Sequence, residues 1–296
     1  MTARAGFTTI LAVCLVGLLW GLNWPIVKFM LTEIPPITLR AVALSSAAIV
    51  LALLARAEGR GLRPEPEEIW PIIRTGLFMV CGFNLLTAIG QTMTETSRAA
   101  IIAYTMPAMT AALAAVFLKE RLSARLLAAL AVGLAGLAVL ASENFAALAR
   151  DPLGAVIMFG AALCWALGNV SQKSRAWTLS PLALTTWYFG ISAVICLALA
   201  FALEPPWRQQ WPGAPVVWTM VFHIIGPMVT AYSLWTLLLG RLPAAVAAIT
   251  TLSAPVVGVV SSILLLGDEA TWQKGVALVL VVLSILMTLI RRSGRR

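Results

Sequence analysis

The sequence predicts an all-α polytopic membrane protein with ten transmembrane helices, arranged as two inverted five-helix repeats. The first observation is composition, since 60% of the 296 residues are hydrophobic, only 11% are charged, and the mean hydropathy is +0.94. The second is that apolar runs of about 20 residues, the length that spans a bilayer, recur along the whole chain. The third is a motif that occurs twice. Soluble domains carry about a quarter charged residues, so that class is excluded.

Short polar breaks separate the predicted helices. We expect the helices to span residues 7–30, 36–55, 71–92, 97–118, 123–141, 153–174, 181–203, 215–239, 243–266 and 272–291. None of the breaks is long enough to form a domain. The first apolar run contains Asn23, Pro25 and Lys28 and lacks a small-residue cleavage site, so we expect it to be a retained transmembrane helix.

Basic residues predict the orientation, because Lys and Arg concentrate in cytoplasmic loops. With the N-terminus in the cytoplasm, 15 of the 21 Lys and Arg residues lie on the cytoplasmic side. Four lie on the other side, and Lys28 and Arg40 lie near helix ends. We therefore expect a multi-pass protein of a bacterial inner (plasma) membrane, with both termini in the cytoplasm.

The composition also argues against several functional classes. The four cysteines lie in apolar runs without CxxC or Cys/His spacing, so we expect neither disulfides nor a metal site. The net charge of +9 is a topology signal in loops and at the C-terminus, so no nucleic-acid partner is expected. A membrane enzyme would need a nucleophile or paired carboxylates at membrane depth. The sequence offers one His there, so we expect no catalytic residue and no cofactor.

The duplicated motif is LLWGLNWPIVK at Leu18–Lys28, which returns as LCWALGNVSQK at Leu163–Lys173. A second match pairs the Ala-Ala-Ile and Pro residues of helix four with those of helix nine. We therefore divide the chain into repeats at 1–142 and 152–291. Five helices per repeat force the second repeat to cross the membrane upside down. Inverted repeats are typical of secondary transporters, whose substrate sites lie near the midplane.

Polar and aromatic residues share faces of the two motif helices. Trp20, Asn23 and Trp24 lie on one face of helix one, and Trp165 and Asn169 lie on one face of helix six. Amides are costly in hydrocarbon, so both faces should point into the bundle. They form either a cavity wall or hydrogen-bonded helix contacts. Recurrence at matched positions favours the cavity.

Further candidates come from helices three, four and nine. Phe83 and Asn84 lie near the midplane of helix three, whereas Gln91 lies near its end, where solvent would satisfy it. Tyr104 in helix four and Ser253 in helix nine offer hydroxyls beside prolines.

His223 is the only histidine and lies in helix eight. It could titrate near physiological pH, contact substrate or simply hydrogen-bond a hydroxyl. Trp187, Tyr232 and Trp235 belong either to an interfacial aromatic belt or to the cavity wall. The candidate substrate-binding residues are Trp20, Asn23, Phe83, Asn84, Tyr104, Trp165, Asn169, Trp187, His223 and Ser253.

Four prolines interrupt the backbone hydrogen bonding of predicted helices: Pro25, Pro107, Pro227 and Pro255. Kinks at these matched or central places suit hinges between moving helices, although proline is also ordinary in membrane helices.

Charge placement bears on mechanism. No Asp or Glu falls in the middle third of any predicted helix. Ion-coupled antiporters usually need an intramembrane carboxylate. The sequence therefore favours facilitated transport, or coupling by a route that it does not reveal. A mostly neutral pocket also argues against multiply charged substrates, which would need buried Lys or Arg.

These features resemble the EamA branch of the drug/metabolite transporter superfamily. The matching pieces are LLWGLNWPIVK, the prolines of helices four and nine, and the acidic segments LKERLS at 118–123 and LGDEATW at 266–272. The resemblance covers essentially the whole chain. It implies efflux of amino acids, aromatic ones included, and of related metabolites through a central, largely hydrophobic cavity. The second repeat departs from the first, with Gly168 and Asn169 where the first has Asn23 and Trp24.

We therefore expect an exporter of aromatic and other neutral amino acids that works by alternating access. Helices one, three, four and six to nine should line the cavity, and helices five and ten should be scaffold. The expected partners are the substrate and the lipid bilayer, and the protein is expected to act as a monomer. The alternatives are efflux of cationic drugs or import of a small metabolite, and, more distantly, a membrane scaffold or receptor.

Overall fold

Helices make up the regular structure of the described chain. The structure, a computed structural model, describes residues 3–59, 61–94, 96–142, 152–266 and 270–289, and no strand occurs among them. Eight helices in these residues are long and apolar enough to cross a membrane, and two further apolar helices, Ala244–Val260 and Trp272–Thr288, are shorter. The predicted all-helical membrane class is confirmed. The C-terminal arginines, the acidic residues that follow helix nine and the loop at 143–151 lie outside the described residues.

Ten helical stretches follow one another along these residues, and we label them α1 to α10. Their bounds are α1 Ala3–Met30, α2 Pro36–Ala57, α3 Pro66–Met93, α4 in two pieces at Thr96–Ala103 and Met106–Phe117, α5 Ala124–Ser142, α6 Pro152–Lys173, α7 Pro181–Leu203, α8 Ala214–Arg241, α9 in two pieces at Ala244–Thr250 and Ser253–Leu266, and α10 Trp272–Leu289. A short 3₁₀ turn, Pro206–Arg208, precedes α8. Wider π-helical segments lie inside α3, at Gly76–Gly82, and inside α8, at Ile224–Ala231.

The largest error in the predicted bounds is the start of α3, which begins at Pro66 rather than at residue 71. Glu68, expected in a loop, lies in its first turn and is fully buried. Its carboxylate accepts from the backbone N–H (2.7 Å) and the hydroxyl (2.8 Å) of Thr178, just before α7. The longer helix therefore begins where a carboxylate can bind the neighbouring segment.

The four prolines lie at different kinds of position. Pro107 and Pro255 lie in the first turn of the second pieces of the broken helices α4 and α9, and Pro227 lies in the π-helical segment of α8. Pro25 lies within an unbroken α1. Three of the four therefore coincide with irregular backbone, as the missing N–H of proline would cause. Their action as hinges stays a prediction.

Carboxylates from distant loops cap two helix N-termini, whose first amides have no partner within the helix. Glu204 accepts from the N–H of Thr38 at the start of α2, at 2.7 Å. Glu120 accepts from the N–H of Ala244 at the start of α9, at 2.8 Å. A negative charge at an N-terminus also favours the helix dipole. These caps tie elements of one half of the chain to the other half.

Close helix crossings use small residues, as is usual where lipid gives no hydrophobic drive to association. α1 packs on α9, α6 packs on α3 and α4, α2 packs on α7, and α5 packs on α10. A Cβ on Gly21 would lie 2.6 Å from the carbonyl oxygen of Ala254 in α9. A Cβ on Gly133 of α5 would lie 2.8 Å from Ser284 Oγ of α10, in keeping with the scaffold position expected for both helices.

Candidate substrate-binding site

A central cavity lies between six helices. The residues that line it come from α1, α2, α3, α4, α6 and α8, and they are Trp20, Asn23, Trp24, Val27, Arg40, Phe83, Asn84, Thr87, Gln91, Tyr104, Met106, Trp165, Met228 and Tyr232. α7 and α9 were expected to line the cavity and contribute none of these residues. α2 was not expected to do so and contributes Arg40. We use the term central cavity for this set throughout.

The two tryptophans of the duplicated motif meet at the centre of the molecule. The ring centroids of Trp20 and Trp165 are 5.2 Å apart in edge-to-face geometry. Tyr232 and Trp235 of α8 and Phe83 of α3 pack around them, at centroid distances of 4.8–5.8 Å. Offset and edge-to-face contacts of this kind are the favourable arrangements of aromatic pairs. We call these five rings the aromatic cluster.

Trp235 and Tyr232 are buried, so neither belongs to an interfacial belt. Tyr232 also accepts a hydrogen bond from the Asn84 amide nitrogen, which lies 2.8 Å from its hydroxyl oxygen. Asn84 donates to the carbonyl oxygen of Val80 as well, at 2.8 Å. The amide predicted to face the cavity is thus held between α3 and α8, with both of its nitrogen-bound hydrogens used.

A second aromatic pair closes the α4 side of the cavity. The indole N–H of Trp24 donates to the hydroxyl of Tyr104 at 2.9 Å, and the ring centroids are 5.9 Å apart. Tyr104 lies at the break in α4. The pair presents apolar ring surface to the cavity and pairs the indole N–H, which would otherwise be costly to bury.

A buried arginine is the main polar feature of the cavity. Arg40 is only 2% exposed, four residues into α2. Its Nε donates to the backbone oxygen of Asn84 (2.8 Å), Nη2 donates to Thr87 Oγ1 (3.3 Å), and Nη1 lies 3.2 Å from His223 Nε2. The expectation of a mostly neutral pocket is therefore wrong, because a guanidinium stays protonated even when buried.

His223 contacts the cavity through its neighbours. Its Nδ1 lies 2.6 Å from Asn23 Oδ1, and its Nε2 faces Arg40. An arginine nitrogen can only donate, so Nε2 accepts and Nδ1 carries the proton that it donates to Asn23. Of the alternatives for His223, the hydroxyl-bonded one is wrong. The residue links α8 to α1 and α2 as a neutral imidazole.

Four predicted site residues are not among those that line the cavity: His223, which reaches it only through its neighbours, and Asn169, Trp187 and Ser253. Asn169 is buried and its side-chain oxygen accepts from the indole N–H of Trp235 at 3.0 Å. It therefore supports a ring of the aromatic cluster without lining the cavity. Trp187 is 38% exposed and donates to the carbonyl oxygen of Leu62 in the loop before α3. Ser253 packs against Gly17 of α1. The sequence predicts Asn169 as a cavity residue from the duplicated motif and Ser253 from its place beside Pro255, and it leaves Trp187 between the cavity and an interfacial belt.

The cavity lining also includes residues that the sequence does not predict there. Gln91 is 2% exposed rather than solvated, and its Oε1 has no hydrogen-bond partner in the described structure. Arg40 carried a usable signal, since an ionisable residue inside an apolar helix is a functional candidate by default. Thr87, Met106 and Met228 carried no signal beyond helical spacing.

The two motif lysines hold helix ends and lie outside the cavity. Lys28 Nζ donates to the carbonyl oxygens of Gln91 and Thr94 at the end of α3, with 3.2 Å to Thr94. Lys173 Nζ donates to the carbonyl oxygen of Leu239 at the end of α8, at 3.1 Å. A cation is favourable at a helix C-terminus, where carbonyl groups lack partners. The duplicated motif thus repeats a structural contact as well as a tryptophan.

Within the described residues no group of three or more His, Cys, Asp or Glu side chains is placed to hold a metal ion. The cavity offers aromatic surface, one guanidinium and a few amide and hydroxyl groups. This combination suits reversible binding of a small molecule.

A bundle of apolar helices with a cavity between them is the architecture expected of a membrane transporter. The EamA-like transporter family model matches the sequence at residues 7–142 and again at 152–290, and the chain belongs to that family. The predicted family is confirmed.

Several proteins resemble the chain over nearly its whole length. It is 23% identical to the uncharacterized transporter YoaV of Bacillus subtilis, over 97% of this chain and 98% of that protein. It is 25% identical to a probable amino-acid metabolite efflux pump of Salmonella typhimurium, over 100% and 99% of the two chains. A similarly named pump of Escherichia coli is 24% identical over 90% of each chain. A protein of known crystal structure, 20% identical, shares the fold with a TM-score of 0.81 over 95% of this chain and 96% of its own.

Proposed function

We propose that this transporter exports amino acids, aromatic and other neutral ones, and related metabolites, by alternating access through the central cavity. The observation that carries the proposal is the meeting of Trp20 and Trp165 at the cavity, 5.2 Å apart, from matched positions in the two halves of the chain. Secondary transporters bind substrate where their repeats meet. Indole faces there offer stacking surface for aromatic and aliphatic side chains. The names of the efflux-pump relatives agree with this substrate class.

The halves, residues 1–142 and 152–291, are in this proposal two inverted repeats of five membrane spans each. The family model matches each half separately, which supports the division. The π-helical segments Gly76–Gly82 and Ile224–Ala231 occupy the third helix of each half. The lysine contacts at the ends of these same helices are a second matched pair.

The proposed setting is a bacterial inner membrane with both termini in the cytoplasm, as the basic residues indicate. In that orientation α1 and α3 run outward, so Val27 and Gln91 place the cavity in the outer half of the bilayer. The aromatic cluster then closes its cytoplasmic side. Export requires the cluster to part, so that a solute reaches the cavity from the cytoplasm.

Efflux of cationic drugs is disfavoured by the charge of the cavity. Arg40 brings a fixed positive charge, and no carboxylate lies among the cavity residues. A second cation about 6 Å away would be repelled by about 3 kcal/mol at an effective dielectric constant near 20. A zwitterion or an anion avoids this cost. Import of a small metabolite would use the same site and would differ from export only in the direction of the solute gradient.

Counterflow in proteoliposomes tests the function. Vesicles that contain the purified protein and are loaded with unlabelled tryptophan, phenylalanine, leucine or threonine should accumulate the same amino acid in labelled form from the medium. Vesicles loaded in the same way but without protein should not. The Trp20→Ala variant should lose most of this counterflow, because it removes one wall of the aromatic cluster. Trp211→Ala is the matched control, since Trp211 is 97% exposed.

Absence of counterflow for every amino acid would overturn the proposal. Equal counterflow by Trp20→Ala and wild type would show that transport does not depend on the aromatic cluster at the cavity. The direction is tested in cells loaded with a dipeptide, in which expression of the transporter should speed the appearance of free amino acid in the medium.

A further inference from the structure

The charge of Arg40 is unmatched within the described structure. Its three hydrogen bonds go to a backbone carbonyl, a hydroxyl and an imidazole nitrogen, all neutral, and it forms no ion pair with a described residue. A buried cation is normally paired or bound by several acceptors. Ionisable residues at membrane depth pair with one another or with backbone carbonyls, and Arg40 has one carbonyl partner and no charged one among the described residues. Arg40 is one of the residues that line the central cavity.

The hydrogen-bond count leaves room for one anionic group. A guanidinium has five N–H groups, one on Nε and two on each terminal nitrogen. Asn84, Thr87 and His223 each take one, on three different nitrogens. Two N–H groups remain, one on each terminal nitrogen. This is the number that a carboxylate accepts from an arginine in bidentate geometry.

Asn23 supplies a further donor beside this position. His223 accepts from Arg40 and donates to Asn23 Oδ1, so the amide oxygen faces the imidazole. The amide nitrogen of Asn23 therefore remains for the cavity, which the residue lines. The hydrogen bonds through His223 hold Arg40 and Asn23 relative to each other, and both residues line the same cavity.

Gln91 is a separate observation that points to a ligand. The residue lines the same cavity, is 2% exposed, and its Oε1 is buried without a partner in the described structure. An unsatisfied buried acceptor is costly and rare in folded proteins. A ligand that carries an N–H donor would satisfy it.

We propose that Arg40 and Asn23 bind the carboxylate of the transported solute and that Gln91 accepts from its ammonium group, so that the cavity selects free amino acids over their amides and decarboxylated amines. This assignment rests on the proposed function and extends it to the part of the substrate that is recognised. The aromatic cluster then receives the side chain, which explains how one site accepts several neutral amino acids.

Ligand-induced thermal stabilisation of the purified protein in detergent tests the assignment without requiring transport. The probes are tryptophan, tryptophanamide, tryptamine and indole-3-propionate, together with leucine and leucinamide. The wild type should bind tryptophan most tightly and indole-3-propionate next. Tryptophanamide and tryptamine should bind about 10- to 100-fold more weakly than tryptophan, the range for loss of a charge-assisted hydrogen bond.

In Arg40→Gln the preference for acid over amide should fall to within a few-fold, whereas the matched variant Arg208→Gln, on the exposed loop after α7, should keep it. Asn23→Ala keeps the guanidinium and should reduce the preference by a smaller factor. If Arg40→Gln does not fold, which elution as more than one species would show, Asn23→Ala tests the assignment in its place. Gln91→Leu should weaken the binding of tryptophan but leave the binding of indole-3-propionate, which lacks the ammonium group, unchanged.

Wild-type protein that binds amide as well as acid, or a folded Arg40→Gln that keeps the preference, overturns the assignment. Counterflow measurements on the same variants distinguish a failure of the carboxylate site from a failure of the proposed function. Amino-acid counterflow with no effect of Arg40→Gln leaves the function standing and removes the carboxylate site. Carboxylate binding that depends on Arg40, without counterflow of any amino acid, keeps the site and removes the function.

Discussion

Substitution of Gly168 by alanine tests the crossing of α6 and α3 that holds the aromatic cluster together. A Cβ at this position would lie 2.3 Å from Met79 Cβ and 2.6 Å from both its Cα and its backbone nitrogen. Carbon atoms in favourable contact are about 3.5–4.0 Å apart. Three of the clashing atoms belong to or adjoin the backbone, so rotation of the Met79 side chain cannot relieve them. The two helices would have to separate locally by more than about 1 Å.

Overpacking of this kind costs about 1–3 kcal/mol, and here the upper end applies because nothing flexible can give way. For a chain of this size we expect Gly168→Ala to lower the apparent Tm by roughly 4–10 °C. The measurement is the fraction of protein that still elutes as a single species after heating in detergent, followed by tryptophan fluorescence. Trp165 lies three residues before Gly168, so counterflow should fall as well.

Gly160→Ala is the matched control in the same helix. Its Cβ would meet only Leu86 Cδ1, at an ordinary 3.5 Å. Alanine is the better helix former by about 1 kcal/mol, so this variant should be as stable as wild type or more stable. Equal Tm values for the two variants would refute the close crossing and the reasoning built on it.

Two further predictions concern the cavity wall and a helix cap. Tyr104→Phe removes the acceptor of the Trp24 indole N–H, so it should lower stability by about 0.5–1.5 kcal/mol and reduce counterflow. Unchanged stability and transport would show that the 2.9 Å contact has no energetic role. Glu120→Ala removes the cap of α9 and should cost about 1 kcal/mol, whereas Glu120→Gln keeps an acceptor and should cost less. Both are measured by the same heating assay, and a larger loss for Gln than for Ala would contradict the capping role.

The sequence predicts the helices well because the requirement that creates them is local. Each span must be apolar over its own length, whatever it packs against. The start of α3 is the exception. Glu68 looks like a loop residue until the structure supplies Thr178, which lies 110 residues away in the chain, as its partner. A hydropathy pattern does not show that a charged residue is buried when its hydrogen-bond partner lies far away in the sequence.

The aromatic part of the site follows from duplication, whereas its charge does not. The duplicated motif predicts that Trp20 and Trp165 face the same cavity, and their ring centroids lie 5.2 Å apart there. Arg40 near a helix end reads equally well as a side chain that extends to the interface. Only the packing of α3 and α8 around it, through Thr87 and His223, shows that it is buried in the cavity wall.

Helix rotation explains why some assigned residues lie elsewhere. α7 and α9 are apolar on nearly every face, so periodicity does not say which face turns inward. Trp187 consequently contacts the loop before α3, and Ser253 packs against α1. The second copy of the motif has Gly168 and Asn169 where the first has Asn23 and Trp24. Gly168 is required by the close backbone of Met79, which leaves Asn169 to pair with Trp235 behind the cluster.

The π-helical segments of α3 and α8 set the direction in which the next residues point. A π turn holds about one residue more than an α turn, so the residues after it are rotated by about 100° relative to an unbroken α-helix. Phe83 and Asn84 directly follow one segment, and Tyr232 directly follows the other. A return of either segment to α-helical pitch would turn these side chains off the cavity and break the Asn84–Tyr232 hydrogen bond. The centre of the bundle can therefore be remodelled by a change of pitch within two helices, with no change in their tilt.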